Sequence, residues 1–99
     1  MNVSNYSQYD IALYRKKLQL SLNTQKRAKA IIMDAQQAGL TARKTPESLI
    51  AAALYIACIL EDERRTQSQI SQATGVSPHT IQIRYKQLVY DLKIQSASS

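Results

Sequence analysis

Apolar side chains recur at intervals of three and four residues along much of the chain, which is the spacing of one face of an α-helix. The first predicted helix covers about residues 7–19, and its apolar face is formed by Ile11, Tyr14 and Leu18. Ser21 can cap a second helix, because its hydroxyl can accept a hydrogen bond from a free N–H of the first turn. The apolar stripe of that helix comprises Ala28, Ile31, Ile32, Ala35 and Ala38.

Residues 49–60 are almost wholly apolar, and a helix that is apolar on every side must be surrounded by other elements. Thr45 can cap this segment and Pro46 suits the first turn of a helix. A buried strand is the alternative, but a long run that contains four alanines argues against a strand. We therefore expect a central helix that its neighbours approach closely at the alanines.

Residues 66–92 predict two helices joined by a tight turn. Residues 66–69 match a capping box for a short helix that ends near Thr74. Gly75 provides the turn, Ser77 caps the last helix, and its inward face comprises Ile81, Tyr85, Leu88 and Leu92. Two helices around such a turn have the outline of a helix-turn-helix.

The composition supports an all-α fold. Apolar residues make up 44% of the chain and charged residues 20%, as in ordinary globular proteins. The chain has only two glycines and two prolines, too few for the many turns of an all-β domain. We predict five helices in one domain, residues 1–99, with a core at about 7–94 and the helix-turn-helix at about 66–92.

An intracellular setting is expected. The single cysteine, Cys58, excludes an intrachain disulfide, and its apolar surroundings favour a buried, unreactive thiol. No signal peptide is visible at the amino terminus. The apolar run at residues 49–60 is also too short to cross a bilayer.

A polyanionic partner fits the formal net charge of +6. No catalytic arrangement is visible, because the chain has one histidine, no glycine-rich phosphate loop and no paired carboxylates in an apolar pocket. The acidic run at residues 61–63 is typical of a solvated surface rather than a metal site. We therefore expect a protein that is not an enzyme and needs no metal or other cofactor.

The last predicted helix carries the candidate DNA contacts. A helix in the major groove contacts bases with its first residues, on the side away from the core. Here these residues are His79, Thr80 and Gln82, of which Gln82 can pair with adenine and Thr80 can touch a thymine methyl. The candidate phosphate contacts are Arg84, Lys86, Arg65, Arg64, Arg43 and Lys44.

Each of these assignments has a plainer alternative. The two helices could be a hairpin with a solvated polar face, and His79 could simply be solvated. Arg64 and Arg65 could pair with the acidic residues 61–63 instead of phosphates. The agreement of caps, turn and core positions favours DNA binding.

Six motifs carry a family resemblance: LTARKTP at 40–46, AAALYIA at 51–57, ERRTQ at 63–67, GV at 75–76, TI at 80–81 and RYK at 84–86. Together they resemble the second cyclin-like repeat of archaeal transcription initiation factor B, a relative of eukaryotic general transcription factor IIB. The resemblance covers about residues 8–94. It implies a five-helix cyclin-like fold that binds double-stranded promoter DNA just upstream of the TATA box. It also implies the TATA-binding protein and RNA polymerase as partners, in the cytoplasm or nucleoid of an archaeal cell. We expect a monomer, because a repressor of the simple dimeric kind would need a dimerisation helix and none is obvious in the sequence.

One departure from the family lies in the recognition helix. The family usually has a hydrophobic residue followed by Thr-Ile-Arg there, whereas this chain has His79-Thr80-Ile81-Gln82. Gln82 thus replaces an arginine expected to read guanine, which leaves the base preference open. The family's zinc ribbon and first repeat are absent from these 99 residues, so we expect either an excised domain of a longer factor or a stand-alone or divergent relative. A cyclin-fold module that binds proteins and has lost specific DNA readout is the alternative function.

Overall fold

The structure is a computed structural model that describes residues 8–40 and 45–94. Within these two ranges it contains no strand and five α-helices, namely α1 (Gln8–Leu18), α2 (Leu22–Gln37), α3 (Pro46–Leu60), α4 (Gln67–Thr74) and α5 (Pro78–Leu92). The predicted all-α fold with five helices is confirmed. Arg43 and Lys44, two of the candidate phosphate contacts, lie outside the described residues.

Hydroxyl groups fix where four of the helices begin. In each case the N-cap side chain accepts a hydrogen bond from the backbone N–H three residues later, which satisfies one free donor of the first turn. The four N-caps are Ser21, Thr45, Thr66 and Ser77. All four were predicted, because capping depends on residues that are close together in the sequence.

Helix α3 lies at the centre of the fold. Ten of its fifteen residues are buried, and Ala51, Ala52, Ala53 and Ala57 have no exposed surface. The helix contacts α2, α4 and α5. Because alanine adds only a methyl group, the neighbouring backbones can approach α3 closely. The prediction of a central helix covered by its neighbours is confirmed.

Helices α1, α2 and α5 turn most of their predicted apolar residues towards this core. The buried members of those faces are Ile11, Leu18, Ala28, Ile31, Ile32, Ala35, Ile81 and Leu88. Tyr85 is half-buried and packs edge-on against Tyr55 of α3, with ring centroids 4.9 Å apart. The prediction for Ala38 is wrong, because α2 ends at Gln37 and Ala38 is its exposed C-cap residue.

Cys58 has no exposed surface. Burial in apolar surroundings disfavours the thiolate and raises the pKa of the Cys58 thiol to about 11. The thiol is therefore protonated at neutral pH, as the sequence led us to expect.

No helix within the described ranges combines the length and the hydropathy that crossing a membrane requires.

Glu63 joins the segment after α3 to the start of α2. Its carboxylate accepts hydrogen bonds from the Ser21 backbone N–H at 3.0 Å, from the Ser21 hydroxyl at 2.9 Å, and from the Thr24 hydroxyl. The Thr24 side chain is fully buried. These bonds, chiefly the one from Thr24, hold the pKa of Glu63 below its usual range. The charged form of Glu63 is therefore favoured in the folded protein.

We predict that Glu63 makes the stability of the fold sensitive to acid. Because the pKa of Glu63 is lower in the folded protein than in the unfolded chain, its carboxylate stabilises the fold at pH values above the unfolded pKa of about 4.3. This contribution is lost as the pH falls through the lower pKa of the folded state. Glu63→Gln should therefore lower the free energy of unfolding at pH 7 and flatten its decline below about pH 4.3. Urea denaturation between pH 7 and pH 3 measures both effects.

Asp91→Asn is the matched control, since Asp91 is exposed on α5. This variant should leave the pH dependence of stability close to that of the parent protein. If the free energy of unfolding of Glu63→Gln fell as steeply as that of the parent below about pH 4.3, the role of Glu63 would be contradicted.

Candidate nucleic-acid interface

Helices α4 and α5 form a pair joined by a three-residue turn, residues 75–77. Thr66 and Gln69 make a reciprocal capping box at the start of α4, with N···O distances of 2.8 and 3.0 Å. Gly75 ends α4 with φ +82°, in the left-handed region that favours glycine. The tight turn is therefore encoded locally.

The pair is seated on the core by its apolar residues. Ile70 and Ala73 of α4 and Ile81 and Leu88 of α5 are buried, and Val76 in the turn packs against the same core. Both helices contact α3 as well as each other. One side of α5 is thereby fixed, and its other side faces outward.

The three candidate base contacts lie in the first two turns of α5. His79 is exposed, and Thr80 and Gln82 are half-buried. The Thr80 hydroxyl accepts a hydrogen bond from the Ser77 hydroxyl at 3.0 Å. The Gln82 side chain accepts a hydrogen bond from the side-chain amide of Gln67 in α4. The structure thus brings the predicted residues together at the end of α5 nearest the turn.

Arg84 and Lys86 continue along α5 but differ in their surroundings. Lys86 is exposed, whereas Arg84 is half-buried. One terminal nitrogen of Arg84, Nη1, donates to the side-chain carbonyl of Gln87 at 3.0 Å, and its Nε is buried without a hydrogen-bond partner. The Arg84 side chain is therefore held along α5, while Lys86 is the freer cation.

The adjacent arginines before α4 have different environments. Arg64 is exposed, but Arg65 donates from Nε to the carbonyl of Leu18 at 3.0 Å and from Nη2 to that of Gln19 at 3.2 Å. Its Nη1 donates to the carbonyls of Glu63 and Arg64. A cation is favourable at these positions, because the last carbonyls of α1 carry the negative end of the helix dipole. Arg65 thus binds α1 internally, which sequence reasoning missed.

The acidic run at residues 61–63 also makes contacts within the protein. Glu61 forms an ion pair with Arg27 of α2 at 2.8 Å, and Glu63 binds the start of α2. Among the residues that the structure describes, no group of three or more His, Cys, Asp or Glu side chains could hold a metal ion. Glu61 and Glu63 are therefore directed towards α2.

Two contacts to α4 were not predicted. Gln67 bonds Gln82 across the pair, and the ammonium of Lys17 in α1 lies 3.5 Å from the carbonyl of Ala73. Both contacts join residues that are far apart in the sequence, so no periodicity or cap motif signals them. The helix-turn-helix outline was predictable because its caps and turn are local.

Known proteins similar to this chain include archaeal transcription initiation factors. Residues 6–91 match the family described as transcription factor TFIIB repeat. The chain is 54% identical over 78 residues to transcription initiation factor IIB of Sulfurisphaera tokodaii, covering 79% of this chain and 25% of that protein. It is 43% identical over 84 residues to transcription initiation factor IIB 1 of Thermoplasma volcanium, covering 85% and 27%. It is 44% identical over 82 residues to transcription initiation factor IIB of Pyrococcus furiosus, covering 83% and 27%. The chain thus spans about a quarter of the length of these archaeal relatives.

We predict that Arg65 contributes to folding stability and that Arg64 does not. Arg65→Lys keeps the charge but loses the fork of donors that binds several carbonyls, so the free energy of unfolding should fall by about 1–3 kcal/mol. Arg64→Lys, at the adjacent exposed position, should change it by less than about 0.5 kcal/mol. Urea denaturation compares the two variants directly. Equal stability of both would show that the Arg65 contacts contribute little.

Proposed function

The chain belongs to the transcription factor TFIIB repeat family, and from this premise we propose that α4 and α5 bind promoter DNA as a helix-turn-helix. The family has a cyclin-like helical fold, in agreement with the fold expected from the resemblance. Its members are transcription factors and not enzymes, as the sequence led us to expect. Binding of DNA in the major groove is the finer function that we assign to this chain.

The observation that carries this proposal is the orientation of α5. Its apolar residues Ile81 and Leu88 are fixed in the core, while His79 and Lys86 are exposed on the same helix. The side that would enter a groove is therefore not covered by the described part of the protein. A major groove about 12 Å wide admits an α-helix presented in this way.

Base recognition is proposed for His79, Thr80 and Gln82. The amide of Gln82 offers one acceptor and one donor side by side, which matches the N6–H and N7 of adenine in the major groove. The arginine usual in the family would instead suit guanine. We therefore propose that this chain prefers adenine at the position that Gln82 reads.

Phosphate contacts are proposed for the neighbouring cations, which are Arg84, Lys86, Arg64, Arg65, Arg43 and Lys44. Among the members that the structure describes, Lys86 and Arg64 are exposed and are the strongest candidates. Most of the donors of Arg65 already bind backbone carbonyls, so its contribution to DNA binding would be smaller. Such contacts fix the register of a protein on the duplex and make binding sensitive to salt.

The wider role follows from the relatives. They are named transcription initiation factors, so we propose that the TATA-binding protein and RNA polymerase act with this chain at a promoter inside an archaeal cell. The chain would act as a monomer. Its affinity for DNA alone should be modest and carried mainly by phosphate contacts.

A protein-docking function is the second candidate. Tyr90 of α5 is 83% exposed, and Ile83 on the same helix is also exposed. Aromatic side chains in such positions are enriched in protein interfaces. Under this alternative, α5 would bind a protein partner instead of a groove in DNA.

Duplex titration tests the DNA-binding proposal. A preferred site is first selected from random duplexes, and its affinity is then measured between 50 and 200 mM salt. Gln82→Ala should remove the preference for adenine at one position with a smaller effect on overall affinity. Lys86→Ala should weaken binding to all duplexes and reduce the salt slope by about 1.

Lys26→Ala, which changes an exposed residue of α2, is the matched control and should leave the affinity and the salt slope close to those of the parent. The proposal fails if the parent protein binds no duplex at the lowest salt. Binding of the TATA-binding protein or RNA polymerase in that case would support the docking function instead.

A further inference from the structure

A side-chain hydrogen bond links the two helices of the proposed DNA-binding pair. The Nε2 of Gln67, the first residue of α4, donates to the Oε1 of Gln82 in the second turn of α5. Both side chains are half-buried. The contact therefore lies where α4 meets the candidate base-reading end of α5.

The bond leaves Gln82 with the groups that adenine requires. A glutamine carbonyl oxygen has two lone pairs, and its NH₂ group has two hydrogens. Gln67 uses one lone pair, so the second lone pair and both hydrogens stay available. Adenine presents an N6–H donor and an N7 acceptor in the major groove. The free lone pair of the Gln82 oxygen can accept from N6–H, and one hydrogen of its NH₂ group can be donated to N7.

The bond also restricts the orientation of the Gln82 amide. A glutamine side chain has several rotamers, and a bidentate contact to a base requires one of them. Because Gln67 donates a hydrogen, it holds the carbonyl oxygen of Gln82 towards α4 and restricts rotation of the amide. A side chain that is already restricted in the free protein loses less conformational entropy on binding, so the free-energy cost of ordering it is smaller.

We propose that Gln67 is a positioning residue that orients Gln82 for adenine readout. This inference rests on the proposed function, since it requires Gln82 to meet a base. Gln67 need not touch the DNA itself. Its removal should therefore reduce the discrimination between bases at one position and leave the phosphate contacts unchanged.

Gln67→Met tests the proposal, because methionine has a similar length and helix propensity but cannot donate the hydrogen bond. Discrimination is measured as the ratio of affinities for the selected duplex and for duplexes altered at the single position whose preference depends on Gln82. Gln67→Met should lower this ratio about three- to tenfold, the effect of losing one ordered side chain. The salt slope should stay the same.

Two control variants, a modified duplex and a folding check separate positioning from a general effect. Gln72→Met changes an exposed glutamine of the same helix and should leave the ratio unchanged. In the Gln82→Ala background, Gln67→Met should have no further effect, because the side chain that it positions is gone.

Replacement of the adenine by 7-deazaadenine should cost the parent protein more affinity than it costs the Gln67→Met variant. Thermal unfolding by circular dichroism verifies that each variant is folded at the binding temperature.

Each other outcome overturns the inference in a recognisable way. Equal ratios for Gln67→Met and Gln72→Met, with duplex binding and the Gln82 preference intact, would remove the positioning role and leave the proposed function standing. A uniform loss of affinity on all duplexes, repeated in the Gln82→Ala background, would show a role in folding or phosphate binding instead. Absence of duplex binding by the parent protein would overturn the proposed function and this inference together.

Discussion

Burial of α3 is the constraint on which the rest of the structure depends. Ten of its fifteen residues are buried, and a helix with so little polar surface is stable only when other helices cover it. Helices α2, α4 and α5 contact it directly. Because α5 must turn Ile81 and Leu88 towards α3, its opposite side faces outward. The candidate interface is thus a consequence of how the core is covered.

The charged segment between α3 and α4 attaches the candidate interface to the rest of the fold. Glu63 binds the start of α2 through Ser21 and Thr24, and Arg65 binds the last carbonyls of α1. These bonds join the segment before α4 to helices that lie far away in the sequence. A helix that reads bases must be held in a fixed orientation, and under the proposed function this segment would supply part of that support to α5.

Local signals in the sequence predicted most of the fold. The hydroxyl caps at Ser21, Thr45 and Ser77, and the glycine turn at Gly75, act within a few residues of one another, so their pattern is visible without the structure. Residues 49–60 predicted the central helix because almost every position there is apolar. The error at Ala38 has a local cause as well, since the apolar spacing continued beyond the last turn of α2.

The candidate site was only partly predictable. Sequence placed His79, Thr80 and Gln82 at the start of the last helix, but it could not distinguish Arg64 from Arg65. That difference depends on the carbonyls of Leu18 and Gln19, more than forty residues away. The bond between Gln67 and Gln82 likewise requires the two helices to be packed. Contacts of this kind follow from tertiary structure and have no periodic signal.

The central claim is that the outward side of α5 meets a groove of duplex DNA. Its most direct test is a titration of the ¹⁵N-labelled protein with duplex at low salt, followed by amide NMR spectra. We expect the largest changes in chemical shift at residues 77–86 and at the start of α4, with little change along the exposed side of α2. Changes concentrated on α2, with α5 unaffected, would contradict it.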